Sequence, residues 1–546
     1  MLPNQYHMLF GLKLRPAASE CSAVQTRVVR IRLLSTMANQ RADDFISFLN
    51  ASPSPFFAVR SSIERLEKAG FKPIKERDSW NHTLRPGGKY YLTRNASTII
   101  AFAIGHKWKP GNPVAMVGAH TDSPCLRIKP VSKRSADGFL QVGVELYGGG
   151  MWHTWFDRDL GVAGRVMVKS KEGVVEQRLV RISKPVCRIP NLAVHFGQPF
   201  EPYNKETQLF PVLGLVTAEL NRQGKSVEEI KQEEAEKQKS AGFQPLKTTV
   251  QRHHPYLVDL VAKEAGCEAE DVEDFELVLY DTQPACIGGI NGEFIYSARL
   301  DNLGMTYCAV EGLIQSLKDD TALKGDPTIR LIACFDHEEI GSQSAQGADS
   351  NMLPSVIRRL SCLPPLSNDS ENSYDKVNSD ASVDNSTAYE QTLSTSFLIS
   401  ADMAHSVNPN YGGSYESEHR PHMNEGTVIK INANVRYATN SPGIVLLQEC
   451  ARRAKAASWQ LPEAKTAEGG VPLQLFVVRN DFRCGSTIGP MLSAALGART
   501  IDVGNPQLSM HSIRETGGAY DPEHGVNLFD SFFEHYGELE SKILVD

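Results

Sequence analysis

Two adjacent glutamates follow an apolar stretch of the chain, in the segment Asp336-His337-Glu338-Glu339. The stretch at 329–335 has the length of a buried strand, so the acids are predicted to lie at its carboxyl end, where open α/β sheets bind ligands. Carboxylates placed side by side there repel each other unless a cation or a proton holds them. A metal ion meets this need, because one glutamate can bind it while the other acts as a general base. A solvated acidic loop is the alternative interpretation, since charged residues are mostly exposed.

Further imidazoles and carboxylates lie at the ends of other predicted elements. They are His120 and Asp122 after residues 114–119, Asp301 at the start of a predicted helix that reaches about residue 317, Asp402 and His405 after residues 396–401, and His511 after residues 498–504. Each of these alone is more often a packed residue or a helix cap than a metal ligand. Together, carboxylates and imidazoles without a thiolate favour a catalytic zinc, cobalt or manganese site. The spacing of His120 and Asp122 also allows the carboxylate to orient the imidazole.

Length and composition predict more than one domain and a sizeable core. The chain has 546 residues, of which 41% are hydrophobic. A net charge of −7 with no basic stripe gives no sign of nucleic-acid binding, and no apolar run approaches the length of a membrane span. Ten cysteines without a C-x-x-C pair fit free thiols in a reducing compartment. We therefore expect neither nucleic acid nor membrane as a partner.

Several long motifs resemble those of the M18, or aspartyl aminopeptidase, family of metallopeptidases. The resemblance extends from about residue 42 to the end of the chain. Its motifs are Gly118–Leu126, Tyr147–Gly150, Thr154–Leu160, Arg299–Asn302, Ser400–His405, Arg479–Asp481 and Ser509–Arg514. One departure is Asn408-Pro409-Asn410, which stands where the family usually has His-Pro-Asn.

The resemblance implies a site with two divalent metal ions per subunit, zinc first, with manganese and cobalt as alternatives. Asp301 would bridge the metals, and Glu338 would be the general base that takes a proton from the attacking water. His120 and Asp402 would complete one metal site, Glu339 and His511 would complete the other, and Asp122 would orient His120. Besides Glu338, the substrate contacts would be His195, His405 and Lys430.

The resemblance also implies an α/β fold with a central mixed sheet flanked by helices and an inserted strand-rich dimerisation domain. Residues 41–129 and 292–546 would form the catalytic domain, and 130–291 would form the inserted oligomerisation domain. Alternating residues at 139–146 and 162–168 fit strands of that insertion. The polar stretch at 361–391, rich in Ser, Asn and Asp, is predicted to be a disordered loop.

Residues 1–40 are predicted to be an N-terminal extension. Within 1–36 the basic residues outnumber the acidic ones: Lys13, Arg15, Arg27, Arg30 and Arg32 against Glu20. This composition resembles an organellar presequence, so a mitochondrial or other organellar location is the alternative to the cytoplasm, which we favour because Met37 lies near the start of the resemblance.

The implied function is a metallo-aminopeptidase that removes N-terminal Asp, then Glu, from peptides and assembles into a large homo-oligomer, a dodecamer by analogy with the family. One alternative is a deacylase or carboxypeptidase on the same dinuclear scaffold. Another is a catalytically idle oligomer that binds partners through the inserted domain. The metal and base positions are all present (His120, Asp301, Glu338, Glu339, Asp402 and His511), which argues against the idle scaffold.

Overall fold

A computed structural model describes residues 40–197, 203–218, 245–319, 321–362, 385–457, 470–543 and 545. The predicted N-terminal extension up to residue 39 and most of the predicted loop 361–391 lie outside these ranges. The described helices cover 40–51, Pro55–Lys68, Thr249–Arg252, Pro255–Ala265, Leu300–Gln315, Met352–Ser361, Ala388–Thr395, Ser441–Arg453, Ile488–Leu496 and Asp521–Leu539.

The strands are numbered in chain order. The first ten are β1 (Lys72–Pro73), β2 (Lys89–Arg94), β3 (Thr98–Ile104), β4 (Val114–His120), β5 (Cys125–Ala136), β6 (Phe139–Tyr147), β7 (Leu160–Lys169), β8 (Val175–Cys187), β9 (Val212–Leu215) and β10 (Val272–Asp281). The others are β11 (Cys286–Gly288), β12 (Phe294–Ser297), β13 (Ile329–Phe335), β14 (Phe397–Ala401), β15 (Ala404–His405), β16 (Thr427–Ile431), β17 (Leu473–Val477), β18 (Arg499–Gly504), β19 (Pro506–Leu508) and β20 (Glu515–Gly518).

The central sheet has the strand order β1-β2-β3-β13-β4-β14-β18-β16-β17 within the described ranges. Its middle strands β13, β4, β14 and β18 are mutually parallel, whereas β3 pairs antiparallel with β13 and β16 pairs antiparallel with β18, so the predicted mixed sheet is confirmed. Every residue of β4, β13 and β14 is buried, as expected for strands covered on both faces. The carboxyl ends of these parallel strands therefore meet at one edge.

Helices cover both faces of this sheet, and the alternation of strand side chains assigns each face its own core. Ala115 and Val117 of β4 face a core that contains the helices Leu300–Gln315 and Asp521–Leu539. Val114 and Met116 face a second core with the helices Met352–Ser361 and Ile488–Leu496. The strands are apolar throughout because both faces are enclosed.

A second sheet, β8-β7-β10-β5-β6-β9, has a separate core built around Leu126, Val162 and Leu277. The strands predicted at 139–146 and 162–168 are confirmed as β6 and β7. The boundaries 130–291 of an inserted domain stay a prediction, and β5 runs through the first of them.

A third sheet, β11-β12-β20-β19-β15, lies beside the carboxyl edge of the central sheet. It contributes the segment before Asp301, the turn that carries His511, and His405. Among the described residues, no helix is long and apolar enough to cross a membrane.

The predicted loop 361–391 is too long at its carboxyl end. Residues 388–391 belong to the helix Ala388–Thr395, because Ala388, Thr392 and Leu393 are buried and Leu393 packs into the second core. The segment 363–384 lies outside the described residues.

Candidate metal centre

Three strand ends bring His120, the Glu338-Glu339 pair and Asp402 together. Phe335, the last residue of β13, lies opposite His120 in the parallel pairing, and Asp402 directly follows β14. His120 Nε2 lies 3.4 Å from Asp301 Oδ1, 3.6 Å from Asp402 Oδ1 and 3.8 Å from Glu338 Oε2. The first group of possible ligands is therefore His120, Asp301 and Asp402.

A second group forms on the other side of Asp301. His511 Nε2 lies 3.3 Å from Asp301 Oδ2 and 3.4 Å from Glu339 Oε2. Asp301 thus offers one oxygen to each group, the arrangement needed for a carboxylate that bridges two ions. His120 also lies within ligand distance of both Glu338 and Glu339, so the two groups form one continuous cluster.

The donor set fits divalent metal ions. Asp301 Oδ1 and Glu339 Oε1 are buried and have no hydrogen-bond partner, which is costly for acceptors that no cation engages. Metal–ligand bonds of about 2.0 to 2.2 Å place the donors of a tetrahedral ion roughly 3.3 to 3.6 Å apart. The separations of 3.3, 3.4, 3.4 and 3.6 Å to the two imidazoles match that spacing.

Burial dominates the electrostatics of the two glutamates. Burial, reinforced by the neighbouring Asp402 and Asp301 charges, raises the pKa of Glu338 to about 8 against the opposing effect of His120. Burial and the Asp301 charge also raise the pKa of Glu339. Without ions, Glu338 and Glu339 therefore resist ionisation, and positive charge beside them would restore it.

Asp122 supports the first group of possible ligands without belonging to it. His120 Nδ1 lies 3.4 Å from Asp122 Oδ1 and 3.1 Å from its backbone oxygen. The same carboxylate accepts hydrogen bonds from the backbone N–H groups of Glu338 and Glu339, each at 3.1 Å, and from the Tyr147 hydroxyl at 2.8 Å. Asp122 therefore fixes both the imidazole and the turn that carries the two glutamates.

Glu515 makes the corresponding contacts for the second group, and reasoning from the sequence did not predict it. Its Oε2 accepts the backbone N–H groups of Leu300 at 2.6 Å and Asp301 at 3.2 Å, and its Oε1 accepts that of His511 at 2.9 Å. The Gln507 side chain donates to the same Oε1 at 3.1 Å. Glu515 lies four residues after His511, but its partners at 300 and 301 are close only in the fold.

Left-handed backbone at three non-glycine residues adjoins the cluster. Arg299, His337 and His511 have φ values of 63°, 66° and 69°. Such conformations persist where the surroundings over-determine them, and they concentrate at functional sites. The hydrogen bonds to Asp122 and Glu515 provide that constraint here.

Lys430 and His405 lie beside Asp402. Lys430 is 3% exposed, and its Nζ donates to the Met403 backbone oxygen at 3.0 Å and lies 3.9 Å from Asp402 Oδ2. His405 is exposed at one side, and its ring meets the Phe476 ring edge-on at 5.8 Å. Desolvation by the surrounding protein and the Lys430 charge lower the pKa of His405. The cluster therefore has a cationic and aromatic flank.

His195 and Asn408 lie apart from the cluster. His195 belongs to an exposed turn, Val194–Phe196, and makes no hydrogen bond or ion pair with the other described site residues of the same chain. Asn408 accepts the Asn410 backbone N–H at 3.0 Å and so caps its own turn. The unusual residue at 408 thus has a local structural task.

Comparison with known proteins gives consistent matches over most of the chain. The family model described as aminopeptidase I zinc metalloprotease (M18) matches residues 48–533. Aspartyl aminopeptidase of Aspergillus oryzae is 62% identical over 509 residues, which cover 93% of this chain and 98% of that protein. Aspartyl aminopeptidase 4 of Saccharomyces cerevisiae is 50% identical over 525 residues, which cover 95% of this chain and 99% of that protein.

Solved structures share the fold. A chain of the cryo-EM structure of the Ape4 and Nbr1 complex superimposes with a TM-score of 0.80 at 45% identity, covering 94% of this chain and 89% of that one. A chain of the S. cerevisiae mApe1 dodecamer superimposes with a TM-score of 0.73 at 31% identity, covering 92% of this chain and 99% of that one.

Proposed function

The chain belongs to the M18 family of zinc metallopeptidases, and we propose that it releases acidic residues, Asp and then Glu, from the N-termini of peptides. It is a zinc-dependent aspartyl aminopeptidase, like the relatives to which it is similar over more than nine-tenths of its length. The observation that carries the assignment is the pair of three-residue groups that share Asp301.

The proposed ligands are His120, Asp301 and Asp402 for one ion and Asp301, Glu339 and His511 for the other. When bound, the ions supply activation of a water molecule and polarisation of the scissile carbonyl. Glu338 has an oxygen 3.8 Å from His120 Nε2 and is the proposed general base. As a carboxylate it would accept a proton from water and deliver it to the leaving amine.

Lys430 is the proposed recognition group for the acidic side chain. A buried ammonium retains donor capacity beyond its bond to the Met403 oxygen, and a substrate carboxylate can accept it. A neutral side chain would leave Lys430 without this additional acceptor, which penalises the wrong substrate. His405 is proposed to contact substrate from the same flank.

Self-association is proposed to complete the site, in line with the dodecamer of a relative. His195 lies on an exposed turn between Val194 and Phe196, which are 72% and 81% exposed. An apolar exposed turn of this kind favours burial against another surface. We therefore infer that His195 contacts substrate bound to a neighbouring subunit of a homo-oligomer.

The selectivity can be tested with aminoacyl chromogenic substrates that carry Asp, Glu, Ala or Leu. The native enzyme should prefer Asp and Glu, and Lys430→Met should reduce kcat/KM for Asp at least about a hundredfold while changing Leu little. Arg330→Met, which removes a buried cation paired with Asp326 near the start of β13, is the matched control. Loss of activity toward all substrates alike in Lys430→Met, with metals retained, would contradict the recognition role.

A further inference from the structure

Asp502 is a fully buried carboxylate in the central sheet, outside both metal groups. It lies on β18, opposite Ser400 of β14. The nearby Lys430 pairs with Asp402 rather than with Asp502. Burying a carboxylate without an ion pair of its own destabilises the fold unless hydrogen bonds compensate. The hydrogen-bond partners of Asp502 therefore indicate its structural role.

Two segments outside the sheet supply hydrogen-bond partners to Asp502. Its Oδ2 accepts the Ala438 backbone N–H at 2.6 Å, and its own backbone N–H donates to Thr439 Oγ1 at 3.0 Å. Its Oδ1 accepts the hydroxyl of Thr487, which caps the helix Ile488–Leu496. One residue thus fastens the loop 432–440, which follows β16, to the start of that helix.

The loop 432–440 supplies one wall around Lys430. Tyr437 is 6% exposed, and its ring centroid lies 5.3 Å from Lys430 Nζ, within range of a cation–π contact. The Cys484 thiol donates to the Tyr437 hydroxyl at 3.4 Å. Because Tyr437 directly precedes Ala438, the bond to Asp502 sets the position of the ring.

The loop is also strained and needs anchoring. Val435 has a φ of 57°, a left-handed conformation that is an outlier for a β-branched residue, and its side chain is 64% exposed. An exposed side chain contributes little packing to offset that strain. The anchors at Ala438 and Thr439, which directly follow Tyr437, therefore help to hold the conformation.

We propose that Asp502 is a positioning residue for selectivity, which fixes the Tyr437 loop against Lys430 and so sets the preference for an acidic N-terminal residue. This inference rests on the proposed role of Lys430. Asp502 touches no substrate itself. Its effect should therefore be on discrimination between substrates rather than on the chemical step.

The test compares the ratio of kcat/KM for Asp- and Leu-aminoacyl substrates in Asp502→Ala, Asp502→Asn and the native protein, with metal content measured in each. Asp502→Ala should lower the ratio about tenfold or more, chiefly through KM for the Asp substrate. Asp502→Asn should retain most of the ratio, because its oxygen can accept from Ala438 while its amide donates to Thr487. Asp530→Ala, which removes another buried carboxylate, on the helix Asp521–Leu539, should leave the ratio unchanged.

Thr439→Val keeps the side-chain shape and removes one anchor of the loop. This variant replaces Asp502→Ala in the test if Asp502→Ala does not fold. It should lower the ratio of kcat/KM values by a smaller factor than Asp502→Ala. Folded, metal-loaded Asp502→Ala or Thr439→Val with a native ratio would overturn the inference, provided that Lys430→Met abolishes the preference. A native enzyme without acidic preference, or a preference that survives Lys430→Met, would overturn the proposed pocket and this inference with it.

Discussion

At the scale of single residues, the proposed site depends on carboxylates that accept hydrogen bonds from the backbone around it. The Asp122 carboxylate receives two backbone N–H groups and a phenol while it faces the His120 imidazole. The two N–H groups and the phenol donate hydrogen bonds to the carboxylate, and the imidazole can donate one as well. Only a group that accepts on both oxygens fits that position.

Asp122→Asn should therefore weaken metal binding although it is nearly isosteric. Its amide group would point a donor at an N–H or at the hydroxyl, which disturbs the glutamate turn and the imidazole together. We expect zinc affinity, measured by competition with a chromophoric chelator, to fall about 10- to 100-fold.

Tyr147→Phe is the matched control, because it removes one donor and leaves the carboxylate in place. Tyr147→Phe should lower zinc affinity less than Asp122→Asn does. An Asp122→Asn protein with native zinc affinity would show that the carboxylate does not hold the ligands.

The sequence predicted the residues at strand ends more readily than their supports. His120, Glu339 and Asp402 could be brought together because parallel strands end at one edge of a sheet. The support from Asp122 was also expected, since it lies two residues from His120. Glu515 escaped prediction because its partners Leu300 and Asp301 are more than two hundred residues away, and sequence spacing carries no trace of that contact.

At the scale of elements, the position of Asp402 depends on close contact between β18 and the end of β14. The Asp402 backbone N–H donates to the Val503 oxygen at 2.9 Å. A Cβ on Gly504 would lie 1.7 Å from the Asp402 backbone oxygen, so only glycine permits this approach. Strand β18, which carries none of the proposed ligands, thus determines where the proposed ligand Asp402 lies.

Gly504→Ala should displace Asp402 and destabilise the protein by about 3 kcal/mol or more, since backbone must move to relieve the contact. Metal content per subunit should fall together with the thermal midpoint. The control is Gly325→Ala, where an added Cβ meets nothing within 4 Å. Full metal occupancy in Gly504→Ala would contradict the proposed dependence of Asp402 on this contact.

The mixed central sheet was also predictable in outline, through the resemblance and the apolar stretches at 114–119 and 329–335. The helix at Ala388–Thr395 was missed because the polar residues before it outweighed the few apolar residues that it buries. Burial of Leu393 depends on a distant core, which composition does not reveal.

At the scale of the whole molecule, histidines outside the site link stability to pH. His253 and His524 are fully buried, one beside the second sheet and one on the helix Asp521–Leu539. Burial lowers the pKa of each to about 4. Each imidazole therefore contributes its full stability above its unfolded pKa of about 6.5, and this is lost as the pH falls from there towards 4.

Between pH 7 and pH 5, each of these histidines should remove about 2 kcal/mol of stability. In His253→Gln, the fall in thermal midpoint over this interval should be smaller than in the native protein, whatever its midpoint at pH 7. Differential scanning calorimetry at both pH values gives the comparison. Equal falls in the two proteins would show that His253 is not held neutral in the fold.

The proposed function requires a dinuclear metal centre, with Asp301 as the shared ligand, that hydrolyses peptides with acidic N-termini. The most direct measurement is hydrolysis of an Asp-aminoacyl substrate by the native protein, by the protein after chelator treatment and metal return, and by Glu338→Gln with metal content determined. We predict that the chelator abolishes activity and that zinc restores it, with about two ions bound per subunit. In Glu338→Gln, the rate of hydrolysis should fall by a factor of about 10² to 10⁴ although the variant keeps its metals. Hydrolysis that survives complete metal removal, or native activity in metal-loaded Glu338→Gln, would contradict it.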